Sequence, residues 1–152
     1  MMDKPAIHAA EAFVNAGYPL DAEALLIVEL DGPEVEVDEL IGRAEAIARE
    51  NHADSVRISM SEEERDNFWA GRKAAFPAVG RISPDYYCMD GTIPRHRLSE
   101  VLTRMNDLSG QYDLRVANVF HAGDGNLHPL ILYDANKPGE LEKAEAFGSD
   151  IL

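Results

Sequence analysis

The sequence predicts an α+β fold: a ferredoxin-like sandwich, partly duplicated in one variant, with a mostly antiparallel sheet and helices on one side. Three observations predict it. Segments of helical period alternate with short apolar or alternating segments, the last two strands are joined by a tight turn, and 152 residues suffice for one core. Because helix-linked strands also suit a doubly wound parallel sheet, that is the second choice.

The elements follow in order. Ile7, Ala10, Phe13 and Val14 recur at helical spacing and are stopped by Gly17 and Pro19. Ala24–Glu29 is a short apolar run ending at Asp31-Gly32, which reads as a buried strand. Val37, Leu40, Ile41, Ala44, Ile47 and Ala48 form the stripe of an amphipathic helix begun near Pro33. Asp54–Met60 alternates like a half-buried strand. Ser61 and Glu64 make a capping box for a helix expected to stop at Pro77. Tyr86–Ile93 is extended and interrupted by Asp90-Gly91. Leu98, Val101, Leu102, Met105 and Leu108 mark a helix closed by Gly110. Leu114–His121 and Asn126–Tyr133 are strands, and a last helix starts after Pro138-Gly139.

Composition narrows function. Fourteen Lys and Arg against 28 Asp and Glu give a net charge of −14, which repels phosphate backbones and anionic lipid. Nucleic acid is not an expected partner. The longest apolar run, Ala24–Val28, is too short for a transmembrane segment. No secretory signal opens the sequence, and the single Cys88 fits a reducing compartment, so a cytoplasmic protein with a buried thiol is expected. Met-Met at the start and Ile151-Leu152 at the end, inside an apolar stretch without a cap, lead us to expect one domain excised from a longer polypeptide.

The chemistry concentrates in His121-Ala-Gly-Asp-Gly-Asn126-Leu-His128. Asp-Gly favours a two-residue type I′ turn. With Asp124-Gly125 at the tip, His121 faces His128 directly, and both imidazoles converge on one divalent metal such as Zn, Mn or Fe. Asn126 shares that side and supplies an amide. The plainer reading is two histidines in ordinary hydrogen bonds, but the turn chemistry and matched register favour the metal. No third ligand is evident beyond Asp124 or a distant carboxylate. Arg72 shares a helix face with Phe68 and Phe76, where it either grips a carboxylate or stacks on a ring. A Ca²⁺ loop at 134–145 is rejected because Pro138 replaces a ligand, and no phosphate loop is present.

The blocks His121–His128, Phe68–Pro77 and Tyr86–Pro94 resemble the C-terminal domain of the FAD-linked oxidases, over essentially the whole chain. The resemblance implies the substrate (cap) domain of an FAD-dependent 2-hydroxy-acid oxidoreductase of the glycolate oxidase or D-lactate dehydrogenase type. It implies that His121 and His128 bind the metal, that Arg72 and Asn126 bind the substrate, and that FAD sits in another domain of the same polypeptide. The third metal ligand and the catalytic base are expected beyond Leu152, so no catalytic residue is assigned within the chain. Partners are then a small 2-hydroxy acid, the FAD-binding domain and further oxidase subunits that attach the protein to the inner membrane. Relatives taking longer diacids have a basic residue and an Asn where this sequence has Cys88 and Leu130, which implies a shorter monoacid. The competing expectations are a self-standing interaction or metal-binding module and, more weakly, a metal-dependent hydrolase.

Overall fold

A computed structural model describes residues 1–152. The elements are β1 (Met2–Asp3), α1 (Lys4–Val14), β2 (Ala24–Leu25), α2 (Glu34–Glu50), α3 (Glu62–Val79), β3 (Asp85–Cys88) and β4 (Gly91–Thr92). A 3₁₀ turn at Arg95–Arg97 leads into α4 (Leu98–Tyr112), followed by β5 (Val116–Asn118), β6 (Asn126–Leu127), β7 (Pro129–Tyr133) and α5 (Glu140–Ile151).

The main sheet has the order β3-β7-β5, with both pairings antiparallel. β3 and β5 therefore run parallel with β7 between them, and α4 makes the crossover: the split β-α-β of a ferredoxin-like unit. Cys88 pairs with Leu130 and Gly91 with Leu127 in one continuous register, so β3–β4 and β6–β7 form a single ribbon. The α+β, antiparallel expectation holds.

Helices cover both faces of the sheet, not one. Ala117, Val119, Leu130 and Leu132 pack on Ala6, Ile7 and Ala10 of α1 and on Ala75, Ala78 and Val79 of α3. Their neighbours Val116 and Ile131 point the other way, onto Leu108 of α4 and Ala144 and Phe147 of α5. Leu130-Ile131-Leu132 shows the reason, since a strand that is apolar at consecutive positions must be covered on both sides. The alanine faces of α1 and α3 let those helices lie close on the second face.

Other differences have local causes. The predicted strand 24–29 is reduced to Ala24–Leu25, which pair with Asp3 and Met2. Residues 54–60 form no strand, because no neighbouring backbone offers them a ladder. α2 buries none of its residues and leaves Val35, Leu40 and Ile47 exposed, as Leu26, Val28 and Met60 are elsewhere in the chain. Pro77 sits inside α3, in its last turn, where the lost hydrogen bond is cheapest, and the helix continues to Val79. α4 runs past Gly110 and ends at Asp113, whose left-handed φ of 49° does the capping expected of glycine. Ser61 caps α3 as predicted: its Oγ accepts from Glu64 N, and Glu64 Oε2 accepts from Met60 N at 2.7 Å.

Asp3 caps α1, accepting from Ala6 N at 3.1 Å and, through its second oxygen, from Asn118 Nδ2 at 2.7 Å. Burial nevertheless raises its carboxyl above the usual 3.8. The folded state thus holds this proton more tightly than the unfolded state does. Stability from this group is expected to fall as pH rises from the ordinary aspartate range through the elevated folded value. Asp3→Asn keeps a cap and is expected to flatten that slope in thermal melts across pH, while Asp3→Ala costs about 1 kcal/mol. An unchanged slope in Asp3→Asn would assign the pH dependence elsewhere.

Candidate functional site

The hairpin that carries the histidines is wider than a two-residue turn. His121 bridges Asn126, with His121 N donating to Asn126 O at 2.9 Å and Asn126 N to His121 O at 3.2 Å. Residues 122–125 form a four-residue loop, and of them only Gly125 has positive φ, at 72°. Val119 N donates to His128 O, so Val119 stands opposite His128. The register is shifted by two from the expected His121–His128 pairing. A shift of two preserves the face. The imidazoles therefore still meet, as a diagonal pair with ring centroids 5.3 Å apart and planes at 88°.

His128 Nδ1 lies 3.1 Å from Val119 O. A carbonyl only accepts, so Nδ1 carries the proton and Nε2 keeps a free lone pair. Phe76 of α3 packs edge-on against the same ring at 6.2 Å, and Tyr86 packs on Phe76. His121 stands at the surface. Loss of solvation, then the charge of Arg72 and the His128 imidazole, hold its pKa below the usual 6.5, so the ring is neutral at pH 7. A neutral His121 beside a His128 whose Nδ1 is turned to Val119 O, leaving Nε2 toward the depression, suits a borderline metal ion. No three His, Cys, Asp or Glu residues of this chain close around an ion, so the pair can supply only part of a coordination shell. Asp124 lines the same open depression, with Thr92, His121, Asn126 and His128, without completing it.

Arg72 is half-buried on α3, one turn before Phe76. Desolvation lowers its pKa, and its guanidinium makes no hydrogen bond, ion pair or ring contact within the chain. The aromatic partners went elsewhere: Arg57 stacks over Phe68 at 4.8 Å. Arg72 is thus a cation with open donors, within electrostatic reach of His121.

A device in α3 shapes the backbone at this residue. Tyr18 Oη donates to Phe68 O at 2.5 Å and accepts from Arg72 N at 3.1 Å, occupying the place of the ordinary helix hydrogen bond between them. Gly71 makes room, since a Cβ there would lie 2.2 Å from Tyr18 Cε2. Gly71→Ala, which would favour an exposed helix, is expected here to destabilise by about 2 kcal/mol. Tyr18→Phe is expected to cost about 1–2 kcal/mol, because it removes both bonds. Denaturant melts of the two variants check this, and a more stable Gly71→Ala would show that the ring does not occupy that space.

Asn126 Nδ2 donates to Asp90 Oδ1 at 2.8 Å, and Asp90 Oδ2 lies 3.8 Å from His128 Nε2. Asp90, Tyr18, Gly71 and Phe76 were not singled out in the sequence for these roles. Only the capacity of Asp90-Gly91 to interrupt a strand was visible there. Cys88 is exposed, not buried, because even-numbered positions of β3 face away from α5.

Fold and site define an α+β domain that gathers an amide and two imidazoles at one end of its sheet, with a guanidinium within electrostatic reach. The chain belongs to the family "FAD linked oxidases, C-terminal domain", whose model matches residues 1–152. It is 63% identical over 152 residues to glycolate oxidase subunit GlcD of Escherichia coli K12, covering all of this chain and 30% of that protein. It is 33% identical over 151 residues to glycolate oxidase subunit GlcD of Bacillus subtilis, covering 99% of this chain and 32% of that protein. A probable mitochondrial D-lactate dehydrogenase of Danio rerio is 28% identical over 150 residues, with 96% of this chain and 29% of that protein covered. The chain spans about a third of the length of these curated relatives. No helix is long and apolar enough to cross a membrane.

Proposed function

We propose that this domain forms the substrate wall of an FAD-dependent 2-hydroxy-acid oxidoreductase, acting on a short monoacid such as glycolate or D-lactate. The observation that carries the reading is Arg72, a partly desolvated guanidinium without a partner, within electrostatic reach of His121, one of two imidazoles that meet on one face. A planar carboxylate is the natural match for that fork. Arg72 holds the carboxylate, Asn126 meets the hydroxyl, and His121 and His128 hold a divalent cation whose remaining ligands come from the rest of the polypeptide. Such a cation supplies a Lewis acid for the developing alkoxide. FAD, held by another domain, supplies the acceptor for the C2 hydride. The exposed apolar side chains of 24–60 belong in this reading to the surface turned toward that other domain. A cytoplasmic location, with membrane attachment only through partner subunits, goes with it.

The test is to purify a longer polypeptide containing this domain with FAD and follow dye reduction by glycolate, D-lactate and 2-hydroxyglutarate. Turnover with a monoacid supports the proposal, and flavin that none of the three reduces overturns it. Calorimetric titration of Zn²⁺ or Mn²⁺ into the same protein checks the histidines, with binding expected to weaken at least tenfold in His121→Ala. Undiminished binding with both histidines replaced would remove the metal from the account.

A further inference from the structure

Asp90 lies in the bend between β3 and β4, and continuity of register puts it opposite His128. Its Oδ1 accepts from Asn126 Nδ2 at 2.8 Å. An ionised carboxylate has only lone pairs to offer, so it can face only the NH₂ end of the amide. A reversed Asn126 would set oxygen against oxygen. The Asp90 charge therefore dictates which way the amide points, and Asn126 Oδ1 is left buried with no donor. Buried acceptors are seldom left unpaired unless a ligand or water supplies the proton. The nearest imidazole does not serve it, because His128 turns Nδ1 to Val119 O at 3.1 Å and Nε2 toward Asp90 Oδ2 at 3.8 Å.

We propose that Asp90 is a positioning residue that aims Asn126 Oδ1 as the acceptor for the hydroxyl of a 2-hydroxy acid. This rests on the proposed function and deepens it. Arg72 recognises the carboxylate that every small acid has, while the Asp90–Asn126 pair recognises the hydroxyl that separates a hydroxy acid from its deoxy analogue. Without Asp90 nothing opposes the reversed amide, which sets N–H groups where the acceptor stood.

The test uses the longer, FAD-loaded polypeptide and two ligands that differ by one hydroxyl. Glycolate affinity is read from the saturation of anaerobic flavin reduction, and acetate affinity from competitive inhibition. Asp90→Ala is expected to lower the preference for glycolate over acetate about tenfold while acetate binding stays within twofold. Asp90→Asn, the isosteric variant, is expected to lower the preference similarly and keeps the test open if the alanine variant folds poorly. In the exchange of Asp90→Asn with Asn126→Asp, the carboxylate at 126 accepts from the new amide and still turns an oxygen to the ligand. That double variant is expected to regain the preference to within threefold, whereas Asn126→Asp alone sets two carboxylates together and does not. An unchanged preference in Asp90→Asn, or a double variant no better than the poorer single one, overturns the inference. A protein that oxidises no 2-hydroxy acid removes the ground for both proposals, and active protein with an unmoved preference removes this one alone.

Discussion

Arg72→Ala in the longer polypeptide is expected to lower kcat/KM for glycolate or D-lactate by about 10²- to 10³-fold, the usual consequence of deleting one partner of a desolvated, hydrogen-bonded charge pair. The guanidinium is half-buried and already pays for lost solvation, which its lowered pKa records. No group of the chain compensates it, so a carboxylate arriving there meets open donors and no competitor. Arg72→Lys is expected to fall between wild type and alanine, since an ammonium keeps the charge but not the two parallel N–H groups. The fold should survive, because the Arg72 backbone N–H is held by Tyr18 independently of its side chain. Steady-state kinetics decide it. An efficiency within threefold of wild type in Arg72→Ala would return the residue to a structural role.

Gly125→Ala is expected to be the most disruptive single-methyl change in the hairpin. Its φ of 72° costs an L-residue about 1–2 kcal/mol, and the new Cβ would stand 2.1 Å from Ile93 O, backbone against which nothing can rotate away. Gly125 O also accepts from Ile93 N at 2.9 Å, so the two chains cannot part without losing a bond. About 3 kcal/mol in total is expected, a drop in Tm of roughly 6–12 °C for a domain this size. Gly123→Ala, with nothing within 4 Å of its new methyl and no positive φ, is the matched control and should stay within about 0.5 kcal/mol. Equal melting temperatures for the two would refute this account of the loop.

The candidate site was legible because it is local. His121, Asn126 and His128 lie within eight residues, and strand parity put them on one face whether the loop held two residues or four. The exact pairing was not legible, since Asp124-Gly125 favours a two-residue turn locally, while Gly125 is committed to Ile93, just past β4. Asp90 was missed because its partners are 36 and 38 positions away and no local period marks it. Segments 24–29 and 54–60 carry strand patterns that find almost no partner, which no reading of their own residues can reveal.

By itself the sequence determined the α+β class, the amphipathic faces, the caps at Ser61 and Gly139's neighbourhood, and the gathering of imidazoles at one turn, all of which follow from side-chain period and short-range hydrogen bonding. Tertiary structure alone decided that helices cover both sheet faces, that Tyr18 enters the α3 ladder at Arg72, and that Asp90 turns the amide of Asn126. The physical reason is that those outcomes depend on which surfaces meet, and a contact between distant residues leaves no periodic trace in either partner.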